Sequence, residues 1–231
     1  MFTETLKRDL FSSDHELFRD QVRRFIETEV LPFHDEWDEQ GVVSREVWEK
    51  AGAAGMLCPT VPEEYGGPGA DFLCSVVVVE EMARVGASGP GFSIHSEMAA
   101  PYLARFGSEA QKSHWLPKLV SGEAISGIAL TEPGAGSDLR RMTTSAKKTN
   151  SGYVLNGQKV FISNGQIGDV FFVAAKTKNE YSTDSMSLFL VEADTPGFRR
   201  GKNLKSQMTL SSSLMSLPIE ESNGWSLLLC G

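Results

Sequence analysis

The sequence is poor in the residues that build metal and disulfide scaffolds. Cys58, Cys74 and Cys230 are the only cysteines in 231 residues and lie far apart, which excludes a disulfide framework and a thiolate metal site. His15, His34, His95 and His114 are equally scattered, and no pair has metal-ligand spacing on a helix. No metal is therefore expected. Basic charge is also scarce: the formal net charge is -8 without a long Lys/Arg block, so a nucleic-acid footprint is excluded. No apolar run approaches the length of a membrane span, and the charged opening MFTETLKRDLF lacks the apolar core of a secretory signal.

What is present is enough apolar residue, 41%, to bury a sizeable core. Between Asp14 and about Glu39 the apolar residues Leu17, Val22, Phe25, Ile26, Val30 and Phe33 recur at helical spacing, with Ser13 as a candidate N-cap and Pro32 as an interruption. Ser44 is placed to cap a second helix ended by Gly55, and Cys58 to Asp71 is Pro/Gly-rich loop. Gly66, Gly67 and Gly69 punctuate that loop; no strand precedes them with phosphate-fingerprint spacing. Phe72 to Arg84 reads as a buried helix despite its valine run, and Ser93 to Phe106 as another. Ser108 and Gln111 have capping-box spacing ahead of a helix that Gly122 ends.

After Gly122 the period changes from helix to strand. AISGIAL, GYVLNGQKVFIS, DVFFVAAKT and MSLFLVEA are short β-rich runs, and Asn156-Gly157 reads as a hairpin turn between two strands. The fold class is therefore α+β: an all-helical domain over residues 1–122, followed by a small antiparallel β domain over 123–205.

The first β run ends in ALTEPGAGSDL, Ala129 to Leu139. Gly134, Ala135 and Gly136 offer little side-chain bulk, so backbone N–H groups can approach a ligand, with Thr131, Ser137 and Asp138 beside them. The same composition suits a tight turn whose Glu132-Pro133 and Ser137-Asp138 pairs cap neighbouring elements. Composition alone leaves both readings open.

A helical half leading into a β domain with TEPGAGSD after its first strand, and then QKVFISNG, resembles the acyl-CoA dehydrogenases, flavoenzymes of fatty-acid oxidation. SREVWEKAG, SGPGFSIHS, KVFISNG and SLFLVE look most like the long-chain branch, and the resemblance runs from about Phe11 to Lys205. It implies FAD as cofactor, lying along Ile128, Ala129, Leu130, Thr131, Glu132, Pro133, Gly134, Ala135, Gly136 and Ser137. Thr131 would bond the flavin's pyrimidine edge, with backbone of Ile128 and Leu130 nearby. Phe161 would lie against the isoalloxazine ring, followed by Ile162, with Ser163 near the hydride-accepting nitrogen. Ser137, Thr183 and Asp184 would meet the acyl-CoA substrate. A flavin needs an apolar slab on one ring face, donors on its pyrimidine edge and small residues at its pyrophosphate, which Phe161, Thr131 and Gly134 to Gly136 supply. The plain alternatives are a core aromatic at Phe161, a strand end at Thr131 and solvated surface at Arg140-Arg141 and Lys147-Lys148.

The implied reaction removes the proton α to a thioester while a β-hydride passes to the flavin, giving a trans-2-enoyl-CoA. The resemblance further implies an electron-transfer flavoprotein as acceptor, a homo-tetramer, and a glutamate base on a C-terminal four-helix domain. No residue of this chain aligns with that base. The alternatives are a non-catalytic fragment or residual flavin/acyl-CoA-binding module, and an acyl-CoA oxidase. The expected compartment is the bacterial cytoplasm, or the mitochondrial matrix if a transit peptide is missing.

From Ser206 to Gly231 the family pattern breaks. Met208 to Met215 can be encoded so that a frame two bases later reads Asp-Thr-Glu-Leu-Phe-Phe-Asp, the strand the family carries there. Residues 206–231 are accordingly expected to be an aberrant, frameshifted tail that leaves the β domain with an unpaired edge.

Overall fold

The computed structural model describes residues 9–150, 152–177, 185–203 and 213–219, with Asn203 and the last seven by backbone alone. Helix α1 (Ser13–Phe25) starts one residue earlier than the Ser13 cap expected: Ser12 Oγ accepts from His15 N–H at 3.4 Å, and His15 Nδ1 accepts from Ser12 N–H at 3.0 Å. The chain then widens into a π turn (Ile26–Val30) and tightens into a 3₁₀ turn (Leu31–Phe33) that takes Pro32 near its start, before α2 (His34–Gln40). These changes of pitch rotate the expected stripe. Val22, Phe25, Ile26 and Val30 are buried, but Leu17 and Phe33 face solvent.

Ser44 caps α3 (Arg45–Ala53), and Asp71 caps α4 (Phe72–Arg84), which absorbs the valine run as helix. A second π turn (Ile94–Ala99) continues into α5 (Ala100–Phe106), and the Ser108/Gln111 capping box opens α6 (Glu109–Ser121). Gly122 ends α6 at φ +77, where an added Cβ would fall 2.3 Å from the Trp48 carbonyl oxygen, so glycine lets α6 close against α3. The buried Glu81 carboxylate takes ion pairs from Arg19 (3.3 Å) and Arg23 (3.0 Å) of α1 and from Arg84 (2.7 Å) of its own helix.

The sheet contains β1 (Ser126–Ala129), β2 (Ser145–Lys148), β3 (Tyr153–Ile162), β4 (Val170–Thr177), β5 (Ser185–Glu192), β6 (Arg199–Asn203) and β7 (Ser213–Ile219). Its order is β1-β4-β2-β3-β7-β6, and β5 pairs with β4. Four pairings are antiparallel, whereas β1 and β2 each run parallel to β4. Parallel pairing is possible because β1 reaches β4 through the long excursion of the loop and the β2–β3 pair.

Two expectations need correction. Asn156-Gly157 is not a hairpin turn but the middle of the ten-residue strand β3, where Asn156 stands opposite Ser145. A Cβ at Gly157 would lie 2.2 Å from Thr144 Oγ1, so this glycine serves close approach, a demand that dipeptide statistics cannot separate from a turn. The edge that the tail is expected to leave open is instead covered among the described residues: β7, within the stretch expected to be an aberrant tail, lies between β3 and β6, and β6 forms that end of the open sheet. Backbone pairing requires extended chain and a matching edge, not a particular side-chain pattern.

One core lies under α1, α3 and α4 around Trp48 and Phe92, a second joins α5 and α6 to Phe172 and Leu190 of the sheet, and a third holds Phe171 and Phe189. The two halves are also stitched by polar groups. Buried His95 accepts Ser126 N–H at its Nδ1 (3.0 Å) and donates from Nε2 to the Leu119 carbonyl (2.9 Å). Arg45 donates to the Ile167 and Glu123 carbonyls and pairs with Asp169 at 2.8 Å. Among the described residues no helix is long and apolar enough to cross a membrane.

Candidate functional site

The loop leaving β1 is both the turn and the open platform that its composition allowed. Glu132 N–H donates to the Ala135 carbonyl (2.8 Å) and Ala135 N–H to the Glu132 carbonyl (3.2 Å), with Pro133-Gly134 at the apex. Asp138 Oδ1 then accepts Arg140 N–H at 3.3 Å to cap a short turn, Leu139–Arg141. Pro133, Gly134, Gly136 and Ser137 are exposed, and a Cβ at Gly134 or Gly136 would meet open space. Their backbone is therefore approachable from solvent.

Ala129, Glu132, Ala135 and Ile162 are buried, so their side chains are closed off from the outer surface of the loop. Ile128, Leu130, Thr131 and Ser163 are half-buried at the rim. The Leu130 carbonyl accepts from Lys159 Nζ at 3.0 Å. Thr183 and Asp184 lie outside the described residues.

β3 brings the second motif alongside. Val160 N–H donates to the Thr131 carbonyl at 2.9 Å, so Thr131 and Phe161 are held as near neighbours. The register of β3 against β7 slips between Lys159 and Ile162, and within that irregularity Phe161 has φ +57 and 65% exposure. Both features are costly: an aromatic in the left-handed region is strained, and its ring is left in water. Phe161 is therefore not a core aromatic. Asn164, also at positive φ, is buried and donates from Nδ2 to the Ser126 carbonyl (2.9 Å) and the Gly91 carbonyl (3.4 Å), tying the turn after Phe161 to β1 and to the helical half.

Beneath the loop sits a buried ion pair, Glu132 Oε1 to Lys159 Nζ at 2.9 Å, with side chains 2% and 0% exposed. Glu132 Oε2 accepts both the N–H and the hydroxyl of Thr143 at 2.7 Å, and Oε1 accepts Thr144 N–H at 2.9 Å. Although burial opposes ionisation, these donors pull the Glu132 carboxyl down to about 2. Burial lowers the Lys159 pKa against the pull of Glu132. Lys159 and Asn164 escape a composition-based reading, because their partners Glu132 and Ser126 lie 27 and 38 residues away in the sequence.

Two cavities flank this constellation. A groove of ≈ 650 Å³ is lined by Ser137, Asp138, Leu139, Arg140, Lys176 and Met186. On the helical side, an apolar cavity of ≈ 290 Å³ is lined by Val78, Met82, Ala87, Pro90 and Phe92, and includes Gly91, whose carbonyl Asn164 bonds. Away from the site, ligand atoms of His15, Asp71 and Cys74 lie within 4.8 Å of one another. His15 Nδ1 accepts Ser12 N–H, so Nε2 carries the proton it gives Asp71 at 3.0 Å and has no lone pair for a metal.

Comparison with known proteins bears on both halves. Residues 12–123 match the family described as acyl-CoA dehydrogenase, N-terminal domain, and residues 127–216 match acyl-CoA dehydrogenase, middle domain. The mitochondrial long-chain specific acyl-CoA dehydrogenase of Sus scrofa is 48% identical over 199 residues, covering 85% of this chain and 46% of that protein. The crystal structure of an acyl-CoA dehydrogenase from Geobacillus kaustophilus superposes with a TM-score of 0.89 at 41% identity, over 95% of this chain and 59% of that one. An acyl-CoA dehydrogenase from Bacillus anthracis, solved in complex with FAD, gives 0.84 at 32% identity, over 98% and 38%. The chain spans about half the length of the curated relatives it matches.

Proposed function

The chain belongs to the acyl-CoA dehydrogenase family, and from that premise we propose that it binds FAD and acyl-CoA as part of an FAD-dependent acyl-CoA dehydrogenase. The observation that carries this reading is Phe161, exposed at φ +57 beside Thr131. A strained, solvated aromatic is retained where a flat ligand covers it. The neighbouring backbone at Gly134 and Gly136 has the open space that a pyrophosphate needs.

In this reading Phe161 supports one face of the isoalloxazine ring, Thr131 donates to its pyrimidine edge and Ser163 lies near its hydride-accepting nitrogen. FAD held by these residues would supply an acceptor for the hydride leaving the β-carbon of the thioester. Gly134, Ala135, Gly136 and Ser137 line the pyrophosphate, the groove at Ser137 receives the coenzyme A arm, and the family resemblance alone assigns Thr183 and Asp184, outside the described residues, to the same substrate. The apolar cavity at Val78, Met82 and Phe92 suits an aliphatic acyl chain, and the likeness to long-chain enzymes favours a long one. Glu132 does not serve as the base. Its carboxylate is buried, accepts from Thr143, Thr144 and Lys159, and is held near 2, far below the pKa of a group that removes an α-proton at neutral pH. By the family resemblance the base is a glutamate of the four-helix domain, and no residue of this chain is assigned to it.

The partners that go with this reading are an electron-transfer flavoprotein as acceptor and a homo-tetramer, in the bacterial cytoplasm or the mitochondrial matrix. The test is reconstitution. The purified chain mixed with FAD and desalted should retain a yellow chromophore, and Phe161→Ala should lose it. Anaerobic addition of a long-chain acyl-CoA then separates dehydrogenation, seen as bleaching, from a second reading favoured by the locked Glu132: a flavin- and acyl-CoA-binding module in which the colour persists. A colourless wild-type eluate refutes both.

A further inference from the structure

The segment Lys159-Val160-Phe161 makes three successive uses of adjacent residues. Lys159 Nζ donates to the Leu130 carbonyl (3.0 Å) and to Glu132 (2.9 Å), while Val160 N–H donates to the Thr131 carbonyl (2.9 Å). Phe161 presents its ring at φ +57. Leu130, Thr131 and Glu132 are thus each pinned to one short piece of β3. Glu132 extends the clamp further, because its carboxylate also holds Thr143 and Thr144 on the far side of the loop.

A lysine whose side chain is fully buried is expensive, since desolvating the ammonium is offset only by well-placed acceptors. An apolar residue in β3 would fill the space without that cost, but it would leave the Leu130 carbonyl and the Glu132 carboxylate unanchored. We infer that Lys159, with Glu132, is a positioning residue for the flavin site: it fixes the Thr131 hydroxyl relative to the Phe161 ring and so sets the donor strength at the pyrimidine edge. This rests on the flavin reading given above. A donor at that edge stabilises negative charge on the reduced ring and raises its potential, and displacing the donor lowers it.

Removing Lys159 alone would strand the Glu132 charge and endanger folding, so the test pairs the changes as Lys159→Met/Glu132→Gln, which keeps the buried site uncharged. Circular dichroism and gel filtration establish that the variant folds. FAD affinity, the visible spectrum and the midpoint potential of the bound flavin are then measured for wild type, the paired variant, Thr131→Val and all three substitutions together. The expected result is about a tenfold loss of FAD affinity, the worth of one hydrogen bond. The midpoint potential should fall in the paired variant, and Thr131→Val added to it should produce no further fall. An unchanged potential, or full additivity with Thr131→Val, overturns the inference, because a lysine that merely stabilises the sheet would not act through Thr131.

Amide exchange at Val160, whose N–H bonds the Thr131 carbonyl, provides a measurement without FAD. Faster exchange in the paired variant supports the clamp, and unchanged protection overturns it. Failure of wild type to retain FAD would refute the flavin reading instead, with the exchange result still deciding whether Lys159 holds the loop.

Discussion

Two buried glutamates, one in each half of the molecule, meet the same physical problem with different partners. Glu81 of α4 gathers Arg19, Arg23 and Arg84, whose guanidinium groups reach partly into solvent, whereas Glu132 pairs with the fully buried Lys159 and otherwise relies on backbone and hydroxyl donors. Both carboxyls are held near 2. The difference lies in what is fixed. Arginines from two helices bolt α1 to α4, a contact between rigid elements, while the Glu132 cluster shapes a loop whose outer surface is open. A buried ion pair in a helix bundle reads as stability, and one beneath an exposed loop reads as preorganisation.

The sharpest way to break this comparison is to remove one member of each pair. Lys159→Met should destabilise the fold by about 4 kcal/mol, because the Glu132 charge is left buried without its cation. Chemical denaturation measures this, and the loss should be smaller in the paired variant with Glu132→Gln. Glu81→Ala should cost about 3 kcal/mol, less because the arginines it releases can turn to water. FAD retention below the melting temperature should survive Glu81→Ala and suffer in the Lys159 variants.

Acid titration sharpens the contrast further. His95 is held down to about 4 by burial, so above pH 6.5 it costs nothing. As pH falls from 6.5 towards 4 the unfolded chain takes up a proton that the folded chain refuses, and stability drops by about 3 kcal/mol before levelling. Glu81 and Glu132 act in a lower window: their contributions are fully present above pH 4.5 and disappear as pH falls from 4.5 towards 2. Stability against pH should therefore show two descending limbs, and His95→Gln should flatten the upper one. The smallest effect concerns Phe161. Phe161→Gly relieves the strain at φ +57 and should stabilise the flavin-free protein by about 1 kcal/mol while weakening FAD retention, an opposition visible by comparing melting temperatures with and without FAD.

Much of the helical half was legible because its signals are local. Ser44 and the Ser108/Gln111 box cap helices through hydrogen bonds spanning two or three residues, and Gly122 stops α6 through its own φ. The β half was legible only as strand runs, since pairing depends on residues far apart in sequence. Asn156-Gly157 could equally be a turn or a place where Thr144 comes close, and only the folded sheet decides between them. The strand at Ser213–Ile219 was concealed by the opposite route, because its backbone pairing makes no demand that composition announces.

The sequence by itself determined most of the helical half and the scarcity of side-chain bulk at Gly134 to Gly136, which rest on short-range chemistry, while the link between that loop and the Phe161 motif came from the family resemblance. Tertiary structure alone decided that Phe161 stands exposed at a strained φ, that β1 and β2 run parallel to β4, and that Lys159 reaches under the loop to Glu132. Each of these depends on where a distant strand lies, because register and burial arise only when separated segments meet.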